Sequence, residues 1–173
     1  MLTALLCLFP RFRAEALHDL YAPGWPIRFG RGKHWRSAAF LLVDALFTVS
    51  LLTAAVLHFF PAAEEAMSPA GKAEGFRFGK VAFCFLAVAV APLWEEAVFR
   101  GLLAGGLARW TGPVAAVVLA AVAFGAMHGA VAFLPTAVLS LFLSAAYAKT
   151  GTLWGAYALH ALYNATALAL ALA

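Results

Sequence analysis

The sequence is poor in charged residues, which make up 12% of its 173 positions, whereas hydrophobic residues make up 65%. A soluble globular domain usually has about 25% charged and about 45–50% apolar residues. This balance excludes an ordinary soluble domain and indicates an integral membrane protein. The formal net charge of +4 is modest, so we interpret the basic residues as topology signals and not as a nucleic-acid-binding surface.

Cysteine is scarce as well, with only Cys7 and Cys84 in the chain. Neither belongs to a Cys-x-x-Cys pair or to the Cys/His spacing of a zinc site. The sequence therefore predicts no disulfide framework and no thiol enzyme. The apolar run over residues 1–9 has no basic region before it and no small-residue cleavage site after it, so we predict no signal peptide.

The length of the apolar runs sets the expected fold, because one membrane span needs about 20 residues. We predict an all-α fold, a polytopic transmembrane helical bundle of about five spans over residues 37–173. An interfacial segment, basic and aromatic, precedes it over residues 1–36. In this topology eight basic residues lie on the same side of the membrane as the N-terminus and three lie on the opposite side. Because basic residues are enriched on the cytoplasmic side, this count predicts a cytoplasmic N-terminus. The predicted spans are 37–60, 79–107, 112–133, 135–149 and 152–173.

Three ionisable residues, Glu95, Glu96 and Arg100, lie within the second of these runs. Each costs about 2.5–3.5 kcal/mol at a bilayer centre, so each needs a partner. On a helix Arg100 lies about 40° from Glu96 and about 140° from Glu95, which predicts a Glu96–Arg100 pair and leaves Glu95 facing other helices. Pro92 should kink the helix just before them. A purely structural ion pair beside one spare acid is the alternative.

Two further polar clusters lie in later spans, Phe124 with His128 and His160 with Asn164, each pair four residues apart and so on one helix face. A lone His in an apolar helix is more often structural, but acids, imidazoles and an amide on three spans favour a common site.

Such groups could hydrolyse a peptide bond. Glu95, hydrogen-bonded to an imidazole, could act as the general base on a water molecule. Asn164 and a His N–H could then bind the oxyanion. No Ser or Cys lies beside them as a nucleophile. Zinc bound by Glu and His is the competing mechanism, although no His-Glu-x-x-His motif is present.

These residues, Glu95-Glu96-x-x-x-Arg100, Phe124-x-x-x-His128 and His160-x-x-x-Asn164, in this order resemble the three motifs of the CPBP family of intramembrane endopeptidases (CAAX protease and bacteriocin-processing, or Abi). The resemblance covers roughly residues 80–170. It implies a glutamic-type protease without a catalytic metal or other cofactor. The implied catalytic residues are Glu95 and His128, which activate water, and His160 and Asn164, which hold the oxyanion; the implied structural supports are Glu96, Arg100 and Phe124.

The resemblance also implies the partners of the chain. We expect a membrane-embedded or lipid-anchored protein substrate, with hydrolysis of a peptide bond in this membrane-associated protein or in its C-terminal tail. We expect no nucleic-acid partner and a location in the bacterial inner membrane. The alternative is a non-catalytic membrane bundle that serves bacteriocin immunity or binds a partner. A proton or ion relay is a third hypothesis, which the absence of inverted repeats in the sequence weakens.

Overall fold

A computed structural model describes residues 34–64 and 68–172 of the chain, and these residues contain no strand. Within them the predicted all-α fold is confirmed. The predicted interfacial segment lies almost wholly in residues 1–33, outside the described residues. The longer helices of the described ranges are α1 (Trp35–Phe59), α2 (Pro69–Glu74), α3 (Lys80–Thr111), α4 (Pro113–Met127), α5 (Phe133–Thr150) and α6 (Leu153–Leu172), and a single 3₁₀ turn, Pro61–Ala63, follows α1.

The five apolar runs correspond to α1, α3, α4, α5 and α6. Three of these helices, α1, α3 and α5, are long and apolar enough to cross a membrane, while α4 has 15 residues and α6 carries the polar His160 and Asn164. The predicted end of the third span near residue 133 is wrong, because α4 ends at Met127. His128 follows it as a cap and Gly129 has a φ of 87°, a conformation that glycine adopts readily and that stops a helix.

In the predicted polar loop, 61–78, the chain also forms the short helix α2, whose first turn is capped by the Ser68 hydroxyl.

Helix α3 is irregular around Pro92. Its hydrogen bonding changes from α to π over Leu86–Val90, returns to α over Ala91–Glu96, and is π again over Ala97–Ala104. Pro92 has no N–H to donate, and π segments inside α-helices commonly occur at functional sites. At Pro92 the structure shows changes of hydrogen-bond register within a continuous helix, and the predicted kink stays a prediction.

Helix α5 lies at the centre of the bundle, with ten buried residues. It contributes to both buried apolar clusters, one with α1 and α6 and one with α3, α4 and α6. Gly125 lets α4 approach the start of α5, because a Cβ there would lie 2.6 Å from the Phe133 carbonyl oxygen. This close approach brings the Phe124–His128 end of α4 toward α5, and it was not predicted from the sequence.

Candidate active site

Three consecutive residues of α3 face three different surroundings. Trp94 is 72% exposed, the Glu95 side chain is 26% exposed, and Glu96 is 1% exposed. Successive residues of a helix turn by about 100° around its axis, so neighbours in sequence need not share an environment. The predicted separation of the two glutamates is confirmed, because the Glu96 side chain is buried in the protein whereas the Glu95 side chain is partly exposed at its surface.

Glu96 and Arg100 form a buried ion pair. The guanidinium Nη1 donates to Glu96 Oε1 at 3.2 Å, and Nε lies 3.2 Å from Oε2. The second contact has ion-pair distance but not hydrogen-bond alignment, since neither Nε nor Oε2 has a hydrogen-bond partner among the residues that the structure describes. Both side chains are 1% exposed. The pairing predicted from helix rotation is therefore confirmed, and a pair this deeply buried needs additional hydrogen bonds to offset its desolvation.

Ser140 on α5 supplies the additional acceptors for Arg100. Nη2 donates to the Ser140 carbonyl oxygen at 2.9 Å and to its hydroxyl oxygen at 2.6 Å, and the guanidinium carbon lies 5.0 Å from the centre of the Phe124 ring. Sequence reasoning missed Ser140. The available signal was that Arg has five N–H donors, more than one carboxylate can satisfy.

Replacing Ser140 by alanine is expected to lower the free energy of unfolding by about 1.5–3 kcal/mol, because the lost hydrogen bond involves a buried charged donor. Ser144→Ala is the matched control, since the Ser144 hydroxyl is buried on the same helix and donates to the helix carbonyl of Ser140, a neutral acceptor. A neutral bond of this kind contributes about 0.5–1.5 kcal/mol. Chemical denaturation in detergent micelles measures both values. An equal or larger cost for Ser144→Ala would contradict the assigned role of Ser140.

His160 on α6 lies between the two glutamates and is 3% exposed. Its Nδ1 is 2.9 Å from Glu96 Oε1, and its Nε2 is 3.6 Å from Glu95 Oε2. A carboxylate that accepts from a guanidinium also acts as the acceptor toward an imidazole, so Nδ1 carries the hydrogen and donates it to Glu96. The ring is thereby fixed with Nε2 toward Glu95. The 3.6 Å gap is longer than a hydrogen bond, and one water can contact both atoms.

The Phe124 ring on α4 lies against both imidazoles. This buried ring lies 4.6 Å from the His128 ring and 5.9 Å from the His160 ring, measured between centroids. His128 Nδ1 is 2.8 Å from the Phe124 carbonyl oxygen. Because a carbonyl only accepts, Nδ1 is the donor and Nε2 of a neutral His128 is left as an acceptor. Phe124 therefore fixes His128 from both its ring and its backbone.

Asn164 lies one turn beyond His160 on α6. Its side-chain Nδ2 donates to the backbone carbonyl oxygen of Ala87, in the first π segment of α3, at 2.8 Å. An asparagine amide has two N–H donors, so this bond occupies one of them. Sequence reasoning gave no indication of Ala87, because a backbone carbonyl has no residue-type signal.

The structure thus brings six of the seven predicted site residues into one connected set, joined through Glu96, His160 and Phe124, with Asn164 one turn away. It places His160, not His128, within 3.6 Å of Glu95. The predicted cooperation of Glu95 with His128 stays a prediction. Across residues 34–64 and 68–172, no three His, Cys, Asp or Glu side chains are grouped so that they could hold a metal ion.

Comparison with known protein families matches residues 77–166 to the type II CAAX prenyl endopeptidase Rce1-like family. This range is just over half of the chain and contains every residue of the candidate site. The chain belongs to the Rce1-like family. The suspected relation to the CAAX proteases is therefore confirmed, and the chain is an integral membrane protein of a peptide-hydrolase family. No curated protein and no solved structure matches it.

Proposed function

We propose that this Rce1-like protein is a glutamic-type endopeptidase that hydrolyses a peptide bond within the membrane, with Glu95 as the general base. The observation that carries the proposal is the position of Glu95. It is the partly exposed acid of the site, and it lies 3.6 Å from an imidazole whose other nitrogen is held by the Glu96–Arg100 pair. A base held this way at the edge of a low-dielectric site can act on water.

The proposed reaction begins with a water molecule between Glu95 and an imidazole. The water oxygen bonds to the scissile carbonyl carbon while its proton passes to Glu95, and the carbonyl electron pair moves onto oxygen. The free Nε2 of His128 is the proposed second acceptor for the water. When the carbon–nitrogen bond breaks, the leaving amine takes the proton back, so that Glu95 is ready for another turnover.

The proposed oxyanion donors are Asn164, through its second amide N–H, and His160, through Nε2 when that nitrogen carries a hydrogen. Both lie on one face of α6, and each is fixed by a contact that does not involve substrate. Donors fixed before the reaction cost no reorganisation when charge develops on the carbonyl oxygen. Glu96, Arg100, Ser140 and Phe124 are proposed to hold this arrangement and not to touch substrate.

The proposed substrate is a membrane-anchored protein cut near its C-terminus, in keeping with the prenyl endopeptidase name of the family. We expect purified protein in lipid vesicles to release the last three residues of a peptide whose fourth residue from the end is a prenylated cysteine. Mass spectrometry of the released tripeptide measures the reaction, and the same peptide without the prenyl group is the control. Cleavage of neither peptide, by a protein shown to be folded, would contradict the proposed activity.

A further inference from the structure

The first π segment of α3 leaves one backbone carbonyl without a helical donor. The Ala91 N–H donates to the Leu86 carbonyl, five residues back. In this register the next hydrogen bond would run from residue 92 to the carbonyl of Ala87. Residue 92 is proline, which has no N–H, so the Ala87 carbonyl needs a donor from elsewhere.

Asn164 supplies that donor from α6, at 2.8 Å. In a membrane-spanning segment no solvent can replace the missing bond, and a neighbouring helix commonly satisfies the backbone group that a proline frees. The contact also fixes which end of the carboxamide faces α3, because a carbonyl can only accept and must therefore face the NH₂ group. Rotation of the amide about its last bond is prevented by the same contact.

We infer that Pro92 is a positioning residue for Asn164: by lacking an N–H it keeps the Ala87 carbonyl free, and that carbonyl holds the Asn164 amide one turn from His160. One N–H of the Asn164 amide donates to the Ala87 carbonyl, and the other can donate to the oxyanion. The hydrogen bond itself is independent of the proposed protease activity, and only its effect on turnover rests on that function.

The test uses a property of the composition: Asn164 is the only asparagine of the chain, which has no glutamine. A proton–nitrogen correlation spectrum of the protein in micelles therefore contains one side-chain amide pair. In the wild-type protein we expect its two protons to have clearly different shifts and one of them to exchange slowly with solvent. In Pro92→Ala, residue 92 or residue 91 gains access to the Ala87 carbonyl, so the two shifts should converge and exchange should accelerate.

Pro113→Ala is the matched control. Pro113 is the first residue of α4, a position whose N–H has no partner within a helix in any case. It should leave the Asn164 amide pair unchanged. The indole signals of the five tryptophans report in the same spectra whether each variant keeps its fold. An amide pair that is the same in Pro92→Ala and in wild type would overturn the inference, and so would a wild-type pair with two equivalent, fast-exchanging protons.

A second readout separates positioning from a general structural effect. In the prenylated-peptide assay we expect Pro92→Ala to lower kcat about 10-fold, less than the roughly 100-fold cost of losing an oxyanion donor outright, with KM nearly unchanged. Adding Asn164→Ala should lower the melting temperature of the wild-type background but not that of Pro92→Ala. Equal decreases in both backgrounds would overturn the inference. If the wild-type protein cleaves nothing, the proposed function fails, and the amide spectrum still decides the role of Pro92.

Discussion

Glu95→Gln is expected to lower kcat for the prenylated peptide by about 10²–10⁴-fold, the range that a positioned general base contributes. Glutamine has the shape of glutamate but cannot take a proton from water. The melting temperature should change little, because Glu95 is partly exposed and lies outside the buried Glu96–Arg100 pair. Initial rates of tripeptide release, measured with the purified variant in vesicles, provide the comparison.

Glu64→Gln is the matched control for this prediction, since Glu64 is an exposed glutamate outside the matched family region. It should keep the wild-type rate. A Glu95→Gln protein that retains more than a tenth of the wild-type kcat would remove Glu95 from the role of base. A large fall in melting temperature without any wild-type proteolysis would instead favour the non-catalytic bundle.

The largest effect on stability is expected from separating Glu96 and Arg100. Glu96→Gln leaves a buried guanidinium without its counter-charge, and Arg100→Met leaves a buried carboxylate without its own. Breaking a buried pair from one side costs about 3–5 kcal/mol. The double variant should cost less than the sum of the two single variants, because no unpaired charge remains in it.

Glu74 and Lys80 provide the control cycle within the same chain. Their side chains also form an ion pair, at 3.1 Å, but are 67% and 58% exposed. Exposed pairs contribute about 0.2–1 kcal/mol, so Glu74→Gln and Lys80→Met should have small and nearly additive effects. Denaturation of all six variants in one detergent measures both cycles. Comparable coupling in the two pairs would mean that burial does not set the strength of the Glu96–Arg100 contact.

Features that depend on one helix alone were accessible from the sequence. Glu96 and Arg100 lie four residues apart, so helix rotation was enough to pair them and to direct Glu95 elsewhere. The apolar runs were likewise enough to predict α1, α3, α4, α5 and α6, but not the end of α4 at Met127 or the short polar helix α2. The order of the three motifs led to the correct family because residue types and their spacing are both visible in a sequence.

Features that depend on the distance between helices were not accessible. The sequence contained two candidate imidazoles for Glu95, and only the packing of α6 against α3 places His160 beside it. Ser140 was one of several hydroxyl residues in apolar runs, with nothing to distinguish it as the acceptor for Arg100. The bond from Asn164 to Ala87 depends on a local change of hydrogen-bond register, which residue types alone do not specify.

The different surroundings of Trp94, Glu95 and Glu96 restrict the rotation of α3 about its long axis. Each residue step turns the helix by about 100°, so a rotation of this size about its long axis would exchange the surroundings of these side chains. An acid would then meet the lipid, or an indole would enter the protein interior. A small change in the tilt of α3 would carry no such penalty. Selection on this helix should therefore act most strongly on its axial rotation, which the contacts of Glu96 with His160 on α6 and of Arg100 with Ser140 on α5 fix.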